Sequence, residues 1–251
     1  MKRTLLVLPL VLAACGGHAT AARHASASTF TVQQVGRGAL RSWIFAPAGK
    51  RKLIVLFVHG LGDQLETTPY HHRPWLEHLA REGYEVVYPA YEARPLQNGA
   101  LKHLVEGLST AAAHVPGGVP VAAIGYSRGG RLVVDYASVS QATGLVPARI
   151  FSVFPAGTMD TPLDLAPLDG RTKVLIVAGD ADQTVANVGA NQLITQLAIA
   201  GFPYHDVHFE VVRSHGFFVA DHLSVLRDDA GSRQAFWGRA DRFFAPLVAT
   251  G

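Results

Sequence analysis

The sequence predicts an α/β protein built on one open, mostly parallel β-sheet with helices on both faces. LIVLFV (53–58), VAAIGY (121–126) and KVLIVAG (173–179) are apolar almost throughout, as strands buried on both sides must be. Such strands alternate with stretches of helical spacing, the pattern that yields a parallel sheet covered front and back. With 251 residues and no internal repeat of 20 to 50 residues, the chain has room for one such domain of roughly 200 to 250 residues.

The elements follow in order. FTVQQV and ALRSWIF read as two antiparallel strands turning at Gly36 to Gly38. LIVLFV ends in HGLGD. RPWLEHLAREG (73–83) has proline near a helix start, apolar Trp75, Leu76, Leu79 and Ala80 on one face, and glycine at the stop. A strand follows at YEVVYP. Leu101, Leu104, Val105, Leu108 and Ala112 predict a helix, and the Pro116 to Gly118 break leads into VAAIGY. Leu132, Val133 and Tyr136 mark the next helix, RIFSVF and KVLIVAG two strands, and Leu193, Ile194 and Leu197 a further helix. VHFEVV is the last strand. Phe236, Trp237, Ala240, Phe243 and Leu247 close the chain as an amphipathic helix. The stretch Pro155 to Arg171 is too short for a large lid domain.

The domain is expected to occupy residues 29–251. Residues 1–14, MKRTLLVLPLVLAA, have a basic start and an apolar run too short to span a bilayer with ease, which is the pattern of an export signal. The run ends at LAAC, and Cys15 is the only cysteine. LAAC resembles a bacterial lipoprotein signal, which implies lipidation at Cys15 and anchoring in the cell envelope; an ordinary secretory signal is the alternative. Residues 15–28 are small and polar, as in a flexible tether. Without Lys2 and Arg3 the chain has 20 basic and 19 acidic residues, a balance that gives no reason to expect a nucleic-acid partner. With no cysteine beyond Cys15, packing rather than disulfides must stabilise the exported domain.

In open parallel sheets function gathers at the carboxyl ends of the strands, and three candidates stand there. GYSRG (125–129) fits GxSxG, the strand–turn–helix corner that lifts a serine above the sheet. A hydroxyl is a poor nucleophile until a base takes its proton, and the base needs a third group to hold its tautomer. KVLIVAG is followed by GDADQTV, with Asp180 and Asp182. VHFEVV is followed by RSHGFF, with His215. The order serine, acid, histidine is that of hydrolases on this kind of sheet.

With these motifs the chain resembles the alpha/beta hydrolases, and among them compact bacterial esterases of the dienelactone hydrolase and lipase type, over about Leu53 to Phe244. The resemblance implies Ser127 as nucleophile. It implies Asp182, second aspartate of GDxDxxV, as the triad acid, with Asp180 supporting the loop. It implies His215, in the HGF segment, as the base. It also places an oxyanion hole at the N–H groups of Leu61, in HGLG, and Arg128, while His59 orders that loop.

His222 is the rival histidine, expected in a helix with its side chain away from the serine. His71 and His72 adjoin each other, but no third ligand is spaced to join them, so no metal is expected. No GxxxxGK occurs and HGLGDQ lacks the full GxGxxG, so no nucleotide cofactor is expected either. The expected activity is hydrolysis of a small-molecule carboxylic ester through an acyl-enzyme. Lipase, thioesterase and serine peptidase share the machinery, and an inactive envelope binding protein is the non-enzymatic alternative.

Overall fold

A computed structural model describes residues 29–62, 66–94, 97–157, 165, 168 and 170–249. Residues 1–14, the tether 15–28 with Cys15, and much of the stretch 155–171 lie outside the described residues.

Eight strands form one sheet: β1 (Phe30–Val35), β2 (Ser42–Pro47), β3 (Leu53–Val58), β4 (Tyr84–Pro89), β5 (Val121–Tyr126), β6 (Arg149–Val153), β7 (Lys173–Gly179) and β8 (Val207–Val212). They lie in the order β1-β2-β4-β3-β5-β6-β7-β8. β2 pairs antiparallel with β1 and β4, and every other pairing is parallel. The main helices are α1 (Arg73–Arg81), α2 (Ala100–Ala112), α3 (Arg128–Val139) and α4 (Val188–Ile199). The short α5 (Ala230–Ser232) continues through a π turn at Arg233–Trp237 into α6 (Gly238–Val248). No link between elements is long enough to form a large lid domain.

β3 shows why a central strand must be apolar throughout. Leu53, Val55 and Phe57 point into a core with Trp75, Leu76 and Leu79 of α1 and Phe244 of α6. Ile54, Leu56 and Val58 point the other way, against Leu104 and Leu108 of α2, Val133 of α3 and Leu193 of α4. The two-residue period of a strand feeds both layers at once. Each such side chain contributes about 1.5 to 3 kcal/mol by leaving water. Truncating the fully buried Phe57 to alanine would cost about 3 to 5 kcal/mol.

The turn between β1 and β2 is more compact than a simple hairpin, because a 3-10 turn at Gly38–Leu40 brings the Leu40 carbonyl onto Gly36. A Cβ at Gly36 would sit 2.2 Å from that oxygen, and its φ is +68°, so both space and dihedral demand glycine. Among the described residues, no helix is long and apolar enough to cross a membrane.

Candidate active site

The site is assembled at the carboxyl ends of β3, β4, β5 and β7 and on the chain that follows β8. Ser127 joins β5 to α3 with φ +55° and ψ −121°, a conformation that L-residues other than glycine rarely adopt. The surroundings over-determine it: Ser127 N–H donates to Val153 O at 2.9 Å, and Ser127 O accepts from Gly130 N–H at 2.9 Å and Ala156 N–H at 3.0 Å. The flanking glycines are required by contact. A Cβ at Gly125 would lie 2.2 Å from Gly129 O, and one at Gly129 would lie 2.1 Å from Val58 O and 2.3 Å from His59 O.

The histidine beside this serine is His222. Its Nδ1–H donates to Asp182 Oδ2 at 2.9 Å, and its Nε2 accepts from Ser127 Oγ–H at 2.9 Å. The tautomer follows from the partners, since an ionised carboxylate can only accept and so claims the ring N–H. Ser127, Asp182 and His222 are all buried. Burial alone would raise the Asp182 carboxyl. The hydrogen bond and charge of His222, with the N–H groups of Val185 (3.2 Å) and Thr184 (2.8 Å) on Oδ1, outweigh it and hold the group below its ordinary range. Tyr126 fixes the third member, donating its hydroxyl to His222 O at 3.0 Å.

His215, the histidine chosen from the sequence, is not at the serine. A tight turn ties its backbone to Phe218, with both N–H to carbonyl bonds at 2.9 Å, and leaves His215 exposed near the β8 edge. Asp180 pins the base of this turn, accepting from Ser214 N–H at 2.9 Å and from Ser214 Oγ–H at 2.6 Å. The chain then crosses above β7, where Ala220 O fills the Cβ place of Gly179. Only beyond that crossing does it deliver a histidine to Ser127. His222 is the first residue of a short 3-10 turn (His222–Leu226), not part of a helix that would carry it away.

The loop after β3 lies against the serine corner: a Cβ at Gly60 would be 2.9 Å from the Tyr126 ring and 3.0 Å from Ser127 Cβ. This brings the backbone at Leu61 to the same corner as Arg128. Arg128 is the first residue of α3; the N–H groups of Gly130 and Arg131 turn back to Ser127 O, at 2.9 and 3.4 Å, whereas the first N–H of a helix has no acceptor within it. That leading N–H and the positive end of the helix dipole suit a developing oxyanion.

Sequence reasoning missed what holds the two loops together, the tripeptide Ala90-Tyr91-Glu92 after β4. The Tyr91 hydroxyl donates to His59 O at 2.8 Å, and its ring stacks on His59 at 4.3 Å. The Glu92 carboxylate forms a buried ion pair with the Arg128 guanidinium. His59 faces the carbonyls of Gly60 (Nδ1, 2.5 Å) and Ala90 (Nε2, 2.9 Å). Burial, helped by the nearby Arg128 charge, overrides the raising effect of these two carbonyls and lowers its pKa from 6.5 to about 4, so the ring is neutral near pH 7 and donates one hydrogen bond at a time. The signal for Tyr91 and Glu92 was faint: two polar residues just past an apolar strand end, with no motif around them.

His72 is buried against Phe57 and Tyr126 rather than poised beside His71 as a ligand. Among the described residues, no group of three or more histidine, cysteine, aspartate or glutamate side chains stands close enough to hold a metal ion.

No protein-family model and no curated protein matches the sequence. Solved structures do. An alpha/beta hydrolase enzyme from a Medee basin deep-sea metagenome library superposes with a TM-score of 0.63 at 16% identity, covering 88% of this chain and 99% of that one. Esterase B of Lactobacillus rhamnosis gives 0.66 at 14% identity, covering 88% and 87%; the same esterase has been solved with a tributyrin phosphonate inhibitor. A thermostable esterase from Pseudomonas putida gives 0.61 at 15% identity, covering 88% and 84%. At identities this low what is shared is architecture, and by that measure the protein has the alpha/beta hydrolase fold.

Proposed function

We propose that the protein is a serine hydrolase of carboxylic esters. The observation that carries this reading is the pair of 2.9 Å hydrogen bonds by which His222 joins Ser127 Oγ to Asp182. His222 Nε2 takes the hydroxyl proton as Ser127 Oγ attacks the ester carbonyl carbon. Asp182 stabilises the imidazolium without itself being protonated. The tetrahedral oxyanion accepts hydrogen bonds from the N–H groups of Leu61 and Arg128. Its collapse breaks the C–O bond, and His222 returns the proton to the leaving alkoxide. A water molecule then repeats the sequence on the acyl-serine: His222 takes its proton, the acid leaves, and Ser127 regains its hydrogen.

The choice of ester over thioester or peptide is supported by the esterases that share the fold. Mixing the protein with a fluorophosphonate probe and with p-nitrophenyl esters tests the reading. Covalent labelling at Ser127 and ester turnover are expected, and Ser127→Ala should lose about 10⁴ to 10⁶ in kcat. A folded protein that neither labels nor cleaves any ester in a panel of acyl lengths would instead fit an inactive envelope binding protein.

The lipid anchor at Cys15 belongs to the same reading: an exported hydrolase held in the bacterial cell envelope. Its support is the LAAC sequence that closes the apolar segment. Stable anchoring needs more than one acyl chain, so mass analysis of the mature N-terminus should find a multiply acylated cysteine. A mature chain that begins elsewhere and carries an unmodified cysteine would remove this part of the proposal.

A further inference from the structure

Phe217 is as exposed as a side chain can be, at 108% of its reference accessibility, and it is held there by a rigid support. Gly216, at φ +55°, lets the chain reverse within two residues, so His215 and Phe218 exchange both of their backbone hydrogen bonds. Asp180 fastens Ser214 at the base of the turn, and the Ala220 N–H donates to Ser214 Oγ at 3.0 Å. Arg227 Nη1–H donates to Val219 O at 3.2 Å on the far side. Phe218, the next residue, is buried, its ring lying against Gly231 and Phe236. One phenylalanine thus nails the tip to the core while its neighbour is pushed into water. An aromatic side chain displayed this way forfeits the hydrophobic gain of burial unless something apolar meets it.

The tip stands on the segment that runs from the β8 edge to His222, and the apolar exposure continues along it. Val219 and Leu223 are exposed, and Leu61 is exposed on the oxyanion loop. Leu223 follows His222 directly and Leu61 follows Gly60, which lies against Ser127, while Phe217 and Val219 stand earlier on the same segment, beyond the carboxyl end of β8. They are single apolar groups separated along the chain, with the Asp221–Arg227 ion pair between Val219 and Leu223. A fluid apolar surface needs no matching shape. The molecules that the proposed activity consumes form such a surface once their acyl chains exceed their solubility.

We propose that the Phe217 tip seats the enzyme on the surface of aggregated acyl esters, with exposed Val219 and Leu223 continuing the contact towards His222. This rests on the ester-hydrolase reading, and goes beyond it in naming water-insoluble acyl esters as the substrate class.

The test compares purified full-length wild type, Phe217→Asp, Phe217→Trp and Tyr204→Asp on dissolved p-nitrophenyl acetate and on tributyrin taken through its solubility limit. Tyr204 is also highly exposed but precedes β8, at the opposite end of the sheet, and serves as the control. Any N-terminal acyl group is common to all four proteins. The wild-type rate should climb once the ester forms droplets. Phe217→Asp should lose about ten- to a hundredfold of that rate, the factor that burying one phenylalanine represents. It should keep its turnover of p-nitrophenyl acetate, while Phe217→Trp and Tyr204→Asp keep the climb. A wild type that cleaves p-nitrophenyl acetate but gains nothing from droplets overturns this proposal alone, as does Phe217→Asp matching wild type on droplets. A wild type that cleaves neither ester overturns the hydrolase reading and this proposal with it.

Discussion

The guanidinium of Arg128, the residue after Ser127, is ion-paired in the protein interior with Glu92, whose side chain is almost wholly inaccessible. With Tyr91 holding His59 O, the loop after β4 grips the loop after β3 with one residue and the start of α3 with the next. The loop after β3 and the start of α3 are thereby set relative to each other.

Glu92→Gln leaves the guanidinium inside the protein without its counter-charge. Breaking a buried pair from one side costs about 3 to 5 kcal/mol, and the retained amide oxygen should keep the loss near the lower figure. Urea denaturation should show that drop, and kcat for the best ester should fall with it while KM changes little. Parental stability and turnover in Glu92→Gln would mean that the pair does not organise the site.

The two histidines after β8 separate cleanly by substitution. His222→Ala removes the base and should cost about 10⁴ to 10⁶ in kcat, as loss of a triad member does in a serine protease. His215→Ala removes an exposed ring from the turn and should leave kcat near the parent. Steady-state kinetics with one soluble ester decide the matter, and a crippled His215→Ala beside an active His222→Ala would reverse the assignment.

The neighbouring aspartates should divide catalysis from architecture. Asp182→Asn keeps the shape but presents the wrong hydrogen bond to His222 Nδ1, a change worth about 10⁴ in kcat in a protease triad. Asp180 instead fastens Ser214, so Asp180→Asn should melt lower, retain much of its turnover of soluble esters and free the Phe217 turn. Paired kcat and Tm values for both variants provide the check; a large loss of kcat in Asp180→Asn alone contradicts these roles.

Stability should decline on mild acidification. The His59 pKa is lowered by burial, from 6.5 to about 4, so as pH falls the unfolded chain takes up its proton first. The stabilisation is complete above pH 6.5 and is lost as pH falls towards about 4, amounting to roughly 3 kcal/mol from this ring. His72, driven well below its usual value mainly by burial, acts in the same direction. The carboxyls of Asp180 and Asp182 are also lowered, but their contribution is lost only as pH falls below the ordinary value of 3.8, outside this window. Denaturant midpoints from pH 7.5 to 4.5 should fall steadily, and His72→Leu should flatten the slope. An unchanged slope in that variant would exclude His72 as a source of the acid sensitivity.

Much of this arrangement was legible in the sequence because its causes are local. A strand buried on both faces must be apolar at every position, so β3, β5 and β7 announce themselves. The crowding around Ser127 allows only glycine at Gly125 and Gly129, so the corner is visible as a motif. The histidine was not legible, because its position depends on the path of the chain across the sheet. From β8 to β5 is three strand spacings, roughly 14 Å. The three residues from Val212 to His215 span at most roughly 10 Å when extended. Asp180 halts the chain near β7, and the residues beyond it complete the crossing. Glu92 and Tyr91 were illegible for a related reason: their partners lie 36 and 32 residues away, and nothing nearby in sequence marks them.

The separation of the reacting groups along the chain also sets a timetable. Ser127 precedes Asp182, and His222 lies 95 residues after the serine and 40 after the aspartate. A chain emerging from the ribosome therefore carries Ser127 through the synthesis of three further strands before His222 exists to accept its hydrogen bond. Throughout that interval the hydroxyl is an ordinary alcohol, and the growing polypeptide lacks the arrangement on which the proposed activity rests.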